Sequence, residues 1–351
     1  MKEGGVDLLI ANSASRRVSA SAAVRGGDYE CPGCHEPVVL KRGRVKIAHF
    51  SHQKNGLCVR QEEPETAEHL SGKWQIQQQF NGDLEVYLSV ISQRPDILCR
   101  RANRLIAIEF QCSALSTSRL EERTDGYRKL GIEVVWLLGK KYRDRFKKAS
   151  GAHPFVVFTQ RDGWLLRFWR VDCECLEVWK NLQVDWLNRL CYRSNCLVAG
   201  QWRETGWIQV RHTARERQLL ERQITIGLKT RNRRFLGWQQ FCYWRNSLLQ
   251  VIPDVCWTTR VIPPVLGTSI VIWRRLLLAQ LDANWSHQGI KERQLWRWSQ
   301  QVTELTNGAA SGSSAVLSTQ YALAIALMAD LEANGQVIRK HHRWFKRSSA
   351  S

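Results

Sequence analysis

The most constraining feature of this sequence is the order in which its hydrophobic periodicity changes between residues 65 and 140. Residues 65–80 and 116–130 place apolar side chains at helical spacing, and Gly131 follows the second segment as a helix-ending residue. The segments between and after them alternate as strands do: Leu84–Val90, Arg94–Arg100, Arg104–Gln111 and Val134–Leu138. The pattern predicts an αβββαβ core with a mixed sheet, and therefore an α+β fold.

The flanking regions differ from this core, so three domains are expected. Residues 1–62 are short, glycine-punctuated and strand-like, which predicts a small β domain. Residues 63–170 contain the αβββαβ core and a hairpin that follows it. Residues 171–351 are mostly helical in pattern, with a break around Ile262-Pro-Pro264.

Positive charge is concentrated in the second part of the chain. The net charge of +20 comes from 52 Lys and Arg against 32 Asp and Glu, and residues 141–351 hold 32 of these basic and 15 of these acidic side chains. Fourteen of the 16 Trp residues lie there as well. Such a basic, aromatic region is typical of proteins that bind nucleic acid.

No secretory signal is visible at the N-terminus, and the apolar stretch Ala315–Leu331 contains enough polar residues to predict a buried helix instead of a membrane span. A cytoplasmic location is therefore expected. The 11 Cys residues are then expected to be thiols or metal ligands.

Two carboxylates are the first candidates for chemistry. Asp96 follows Pro95 at the start of one predicted strand, and Glu109 lies in an apolar setting late in the next. Because paired strands lie about 4.8 Å apart, both can reach one hard cation, Mg²⁺ or Mn²⁺. Alternatively, Asp96 caps a strand and Glu109 pairs with a nearby arginine on a sheet edge.

A Cys/His set in the first region predicts a structural Zn²⁺ site of the zinc-ribbon type. Its members are Cys31, Cys34, His49 and His52, with Cys58 as a replacement if one histidine faces away. The alternative is that the cysteines are buried hydrophobic residues. A looser set, Cys173 with Cys175 and Cys191 with Cys196, fits no familiar spacing and is interpreted as buried thiols.

The basic region offers candidate DNA-binding side chains. They are Arg231, Arg233, Arg234, Trp238, Trp244 and Arg245. Guanidinium groups can bind phosphates while exposed rings stack on unpaired bases. The alternative for the tryptophans is an interhelical core.

Taken in order, several short motifs resemble the CoiA competence protein family within the PD-(D/E)xK nuclease superfamily. The matching pieces cover about residues 1–170 and are Tyr29–Cys34, Ala48–His52, Glu68-His69 with Lys73, Arg94–Asp96, Glu109–Ser113, Arg123 with Tyr127, and Val135-Trp136. The resemblance implies Asp96 and Glu109 as metal ligands, Gln111 in the place usually held by lysine, and Glu68 as an accessory acid. Lys73 can supply the missing cation or be a solvated helix residue.

This resemblance implies a metal-dependent nuclease that acts on incoming single-stranded or branched DNA during natural transformation and recombination. Two alternatives remain. One is a DNA-binding mediator that keeps the nuclease fold without cutting and works beside a recombinase. The other is a zinc-stabilised adaptor of the DNA-uptake machinery.

Overall fold

The computed structural model describes residues 7–14, 16–52, 65–148, 154–198, 200–307 and 314–347. The chain divides into two compact units. The first unit comprises Met1–Arg145, Arg167–Val178 and Asn195–Glu204, and the second comprises Phe146–Leu166, Trp179–Ser194 and Thr205–Ser351.

Short strands form the beginning of the first unit, as the sequence predicts. They are β1 (Asp7–Leu8), β2 (Ile10–Ser13), β3 (Arg16–Ser19), β4 (Val38–Lys41) and β5 (His49–His52). Strands β2 and β3 form a hairpin, and β5 lies between β1 and β4 in an antiparallel sheet. The predicted second strand of the β4 hairpin, Val45–Ala48, is wrong by four residues, because pairing begins at His49.

The predicted αβββαβ order is present. Its elements are α1 (Ala67–Phe80), β6 (Asp83–Leu84), β7 (Ile97–Arg101), β8 (Arg104–Gln111), α2 (Thr117–Lys129) and β9 (Glu133–Leu138), followed by α3 (Lys140–Lys148). Strands β6, β7 and β8 are antiparallel neighbours, and β9 joins β8 in parallel, so the sheet is mixed. The predicted strand Leu84–Val90 is largely wrong, because Glu85 has a left-handed backbone (φ 52°) and ends β6.

The two faces of this sheet are covered by different helices. On one face, Leu70 and Ile76 of α1 pack with Ile97, Ile108 and Phe110. On the other, Tyr127 of α2 packs with Ala107, which alternates with Ile108 along β8. Side chains on neighbouring strand residues therefore meet different helices, and this alternation positions the candidate site.

Strands also continue beyond the predicted hairpin. That hairpin is confirmed by β10 (Val157–Thr159) and β11 (Gly163–Arg170). The prediction that residues 171–351 are mostly helical is wrong up to residue 207. This part contains β12 (Cys175–Val184), β13 (Leu190–Val198) and β14 (Gln201–Trp207), whose dense β-branched and aromatic residues suit strands.

Helices dominate the remainder of the second unit. They are α4 (Ala214–Lys229), α5 (Arg233–Tyr243), α6 (Ile270–Asp282), α7 (Glu292–Asn307) and α8 (Ser314–Ala333), and the strands β15 (Ile290–Lys291), β16 (Val337–Lys340) and β17 (Arg343–Lys346) form a small sheet. In the described part of the chain, one helix, α8, is long and apolar enough to cross a membrane by length and composition. One side of α8, including Leu323, Leu327 and Leu331, is buried.

Candidate functional site

Three of the four predicted zinc ligands lie together in the first unit. The ligand atoms of Cys31, Cys34 and His52 all lie within 4.8 Å of one another, and Cys34 Sγ is 3.3 Å from His52 Nε2. The Gly33 N–H points at Cys31 Sγ at 3.4 Å, as in a metal-binding knuckle. Two sulfurs and one imidazole form a donor set that suits Zn²⁺.

His49 does not belong to this group. Both histidines lie on β5, and residues three apart on a strand point to opposite faces. The His49 ring instead has Nδ1 2.8 Å from the Ile47 carbonyl and Nε2 3.8 Å from an Asp7 carboxylate oxygen. The predicted four-residue set is therefore corrected to three, and Cys58, the predicted replacement, lies outside the described residues.

Asp96 lies at the start of β7 and faces α1. Its Oδ2 accepts a hydrogen bond from the Phe110 N–H at 2.8 Å and lies 3.2 Å from His69 Nε2. Burial alone would raise the pKa of Asp96, but His69 and then Lys73 hold this pKa below its ordinary value. Asp96 is therefore a buried, ionised carboxylate.

Lys73 is a buried cation beside this carboxylate and not a solvated helix residue. Its side chain is 1% exposed, and its Nζ lies 2.6 Å from Glu65 Oε1, 2.5 Å from Glu85 Oε1 and 3.8 Å from Asp96 Oδ1. Burial would lower the pKa of Lys73, whereas the carboxylates, Glu65 first, raise it above its ordinary value. The ammonium therefore stays charged and holds three acidic groups near one another.

Glu65 has one carboxylate oxygen that Lys73 does not engage. Its Oε2 is buried and has no hydrogen-bond partner among the described residues. Burial raises the pKa of Glu65. Ligand atoms of Glu65, His69 and Asp96 lie within 4.8 Å of one another. A buried oxygen without a partner costs free energy unless a cation or donor meets it, so this group has the properties of a cation site.

Glu109, the second predicted ligand, has other partners. It lies on the α2 face of the sheet, where its Oε1 accepts hydrogen bonds from Arg123 Nη2 at 2.6 Å and from the Tyr127 hydroxyl. In the described part of the chain, Glu109 belongs to no three-residue ligand group with Asp96. The arginine partner foreseen as the alternative for Glu109 is thus present, within the core instead of at a sheet edge.

Gln111 and Glu68, the other two predicted catalytic residues, also form hydrogen bonds with other groups of the protein. The Gln111 side-chain amide donates to the Ser113 carbonyl at 3.0 Å and is 3.2 Å from the Ser113 hydroxyl. The Glu68 carboxylate accepts from the Lys140 N–H at 2.7 Å, at the first residue of α3. The hydrogen-bond partners of both side chains thus lie elsewhere than at Asp96, and their catalytic roles stay predictions.

Sequence reasoning missed Glu65 and Glu85 as members of this cluster. A signal for Glu65 existed, because it precedes His69 by four residues and the predicted helix began at residue 65. For Glu85 there was none. Its carboxylate accepts hydrogen bonds from the N–H groups of Leu9 and Ile10, at 3.0 and 3.2 Å, and these residues lie 76 and 75 residues away along the chain.

The predicted DNA-binding residues of the second unit separate into two sets, and the members of one set, Trp238, Arg234 and Arg245, are hydrogen-bonded within the unit. Trp238 is 2% exposed and its Nε1 points at the Leu305 carbonyl, so it is a core residue and not a stacking platform. Arg234 donates to the carbonyls of Gly267 and Thr306, both at 2.7 Å. Arg245 donates to Gln280 Oε1 at 2.6 Å and lies over the Phe241 ring.

The other set is exposed. Arg231 and Arg233 are exposed at the start of α5, and Trp244, at its end, is 71% exposed. Tyr243 beside it is 69% exposed. Because residues 233, 236, 240, 243 and 244 recur at helical spacing, they form one solvent-facing stripe. We call this surface the α5 stripe.

Comparison with known proteins gives matches over the first part of the chain. Residues 65–169 match the family described as "Competence protein CoiA, nuclease-like domain", and residues 13–61 match "Competence protein CoiA, N-terminal domain". The chain is 36% identical over 135 residues to the Competence protein CoiA of Bacillus subtilis (strain 168), which covers 37% of this chain and 36% of that protein. No solved structure matches. The matched region thus spans about a third of the relative's length, and the first part of the chain is similar to two adjoining domains of the CoiA competence protein family.

Proposed function

We propose that this protein is a metal-dependent DNA nuclease whose divalent cation is held by Glu65, His69 and Asp96. The observation that carries the proposal is the grouping of ligand atoms from Glu65, His69 and Asp96 within 4.8 Å of one another, at a glutamate whose buried Oε2 has no hydrogen-bond partner among the described residues. The match to a nuclease-like domain over residues 65–169 supports the same reaction class. The name of the relative, a competence protein, supports incoming single-stranded or branched DNA as substrate, during natural transformation and recombination.

The donor set favours Mn²⁺ over Mg²⁺. Carboxylates suit both ions, whereas an imidazole ligand is more typical of transition metals. A bound cation would lower the pKa of a coordinated water and neutralise phosphate charge. Lys73 would act as a positioning residue, because its ammonium binds one oxygen of Glu65, Oε1, and leaves the other oxygen, Oε2, available.

The test is cleavage of single-stranded and branched DNA by the full chain with Mn²⁺ or Mg²⁺, together with Mn²⁺ binding measured by calorimetry. Glu65→Gln and Asp96→Asn should each lower both by more than about 100-fold, since even supporting residues cost 10–100-fold in affinity. Glu121→Gln, an exposed carboxylate on α2, is the matched control and should leave both unchanged. Folded Glu65 and Asp96 variants that cut and bind Mn²⁺ like the wild type would refute the proposal.

A second candidate is a DNA-binding mediator that keeps the nuclease fold without cutting and works beside a recombinase or an uptake protein. The observation that favours it is the engagement of Glu109 by Arg123 and Tyr127, which neutralises a carboxylate expected at the metal. Wild-type protein that binds DNA and Mn²⁺ but cuts no substrate would select this candidate. Glu109→Gln separates the two further, because it should abolish cleavage only if Glu109 also serves the cation.

We further propose a structural Zn²⁺ at Cys31, Cys34 and His52. Their ligand atoms form a compact group, and binding at such a site stabilises the fold around it. Metal analysis of protein purified without chelator should find one zinc per chain. His52→Ala should lose most of it, whereas His49→Ala should retain it, because His49 points to the other face of β5. Equal zinc loss in both variants would restore the four-residue set predicted from the sequence.

A further inference from the structure

Three cysteines of the first unit form a continuous row of sulfur atoms. Cys173 Sγ lies 3.0 Å from Cys175 Sγ, which lies 3.3 Å from Cys196 Sγ. Cys173 belongs to the turn before β12, Cys175 begins β12, and Cys196 lies on β13. Cys191, which the sequence grouped with Cys196, instead points its sulfur at the Arg189 carbonyl. The row therefore combines residues from two groups that the spacing kept apart.

The row is linear and not closed. In the described part of the chain, the groups that bring three ligand atoms within 4.8 Å of one another are Cys31 with Cys34 and His52, and Glu65 with His69 and Asp96. The sulfurs of Cys173 and Cys196 both contact Cys175 without completing such a group. One ion held by all three sulfurs is therefore disfavoured, whereas successive sulfur-to-sulfur exchange needs only the two existing contacts.

Access to solvent changes along the row. Cys173 is exposed, whereas Cys175 and Cys196 are buried. Burial, as the largest cause, raises the pKa of both buried thiols. An oxidant in solution therefore meets Cys173 first, and the buried thiols react through a neighbouring sulfur more readily than directly.

We propose that Cys173, Cys175 and Cys196 form a thiol–disulfide relay that carries oxidation from the surface to a buried Cys175–Cys196 disulfide. The oxidant class is a low-molecular-weight disulfide, RSSR. The sulfur of Cys173 attacks RSSR, loses its proton and forms a mixed disulfide, and the first RSH leaves. Cys175 then attacks the Cys173 sulfur, and the second RSH leaves. Cys196 finally attacks the Cys175 sulfur, and Cys173 regains its proton as a thiol.

These three exchange steps balance in atoms and electrons. Cys175 and Cys196 lose two hydrogens and two electrons in total, and RSSR gains them to become two RSH. Cys173 ends as it began, so it acts as an entry point and not as part of the product. The relay is independent of the proposed nuclease, because none of its residues belongs to the metal group.

The experiment treats the full chain with oxidised glutathione and maps disulfides by mass spectrometry after digestion without reduction. In the wild type the expected product is Cys175–Cys196. Cys173→Ser should slow its formation by at least about tenfold, because the exposed entry thiol is absent. Cys196→Ser should stop the sequence at Cys173–Cys175, and Cys175→Ser should leave glutathione on Cys173.

Cys191→Ser is the matched control, since Cys191 is also a buried cysteine of β13 but contacts no other described sulfur. It should leave the rate and the product unchanged. Cys173→Ser replaces an exposed side chain, so its effect can be read without loss of folding. A wild-type protein that accumulates glutathione on Cys173 without any internal disulfide would overturn the relay, as would equal rates in the wild type and Cys173→Ser.

Discussion

Each unit buries a group of charged side chains, and the two groups differ in the partners that their polar atoms have. The first unit buries carboxylates around Lys73, and one of their oxygens, Glu65 Oε2, has no partner among the described residues. The second unit buries two guanidinium groups on α6. Arg274 donates to the Val255 carbonyl and to Asp330, and Arg275 donates to the Leu248 carbonyl. A buried charged group that is hydrogen-bonded to backbone carbonyls stabilises a fold. A buried carboxylate with an oxygen that lacks a hydrogen-bond partner instead indicates a binding site.

This comparison also changes the meaning of the net charge. The charge of +17 in residues 141–351, from 32 basic and 15 acidic side chains, suggested a large surface for phosphate. Arg234, Arg245, Arg274 and Arg275 instead hold the helices of the second unit together. The positive surface available to DNA is therefore smaller than the composition implies.

The most direct test of whether the buried arginines are structural is to remove one buried guanidinium group. Arg274→Ala should lower the free energy of unfolding by about 3–5 kcal/mol, because it leaves buried partners without their donor. Arg260→Ala removes the exposed partner of the same Asp330 and should cost at most about 1 kcal/mol. Urea unfolding of both variants measures this difference. If the two variants are equally stable, Arg274 is not structural.

The tryptophans give the second test. Trp238→Ala should destabilise the fold by about 3–5 kcal/mol, since it empties a buried site. Trp244→Ala should leave unfolding nearly unchanged but weaken single-stranded DNA binding by about 1–3 kcal/mol, if the exposed ring stacks on a base. Fluorescence anisotropy with single-stranded and duplex DNA measures the second effect. An unchanged affinity for Trp244→Ala would remove the α5 stripe from the DNA surface.

The arginines give a third, smaller effect. Replacing Arg231 and Arg233 by Gln should lower the slope of log affinity against log salt by roughly 2, because each exposed guanidinium is expected to displace about one counterion. Replacing Arg234 and Arg245 by Gln should leave the slope unchanged, since both are engaged within the unit. Titrations between about 50 and 200 mM salt compare the two pairs. Equal slopes would mean that hydrogen bonds within the unit do not separate structural from DNA-binding arginines.

The smallest expected effect is the contribution of one carboxylate, Asp330, to the loss of stability at low pH. Burial would raise the pKa of Asp330, but hydrogen bonds from Arg260 and Arg274 lower it below its ordinary value. A lowered folded-state pKa stabilises the protein above the unfolded pKa of about 3.9, and this contribution disappears as the pH falls through the folded pKa. Asp330→Asn should therefore lose stability at pH 7 and show a shallower loss below about pH 4. Parallel curves for the two proteins would exclude this contribution.

How far the sequence could predict these features depended on whether the determining contact was local. The αβββαβ order followed from periodicity within each segment. The shortness of β6 could not be predicted in this way, because Glu85, whose left-handed backbone ends β6, is held by a hydrogen bond from Leu9, which is distant in the sequence. His49 was misassigned because its strand was placed four residues too early, and only the position on β5 reveals which face each histidine occupies.

The candidate site was predictable to a similar extent. Asp96 could be singled out because it follows a proline at a strand start, and Lys73 because it shares a helix with His69. The partner of Glu109 was foreseen as an arginine, but a tyrosine hydroxyl joins it on the same oxygen. In the second unit, helical spacing could not distinguish Trp238 from Trp244, since both follow Arg-rich sequence. The two differ only in that Trp238 lies on the side of α5 that meets α7, through Leu305.

The Glu85 carboxylate has a consequence for how the chain comes to be folded. Its hydrogen bonds to the N–H groups of Leu9 and Ile10 join the N-terminal β region to a residue that lies some 75 residues later in the chain. Leu9 also packs in the apolar cluster of α1. The N–H groups of Leu9 and Ile10 therefore lack these carboxylate partners until Glu85 has been made, although Ile10 can already pair with Ser19 in the β2–β3 hairpin. A protein begun at residue 65 would leave the buried Glu85 carboxylate without these two donors, so the nuclease-like region depends on the preceding β region for part of its core.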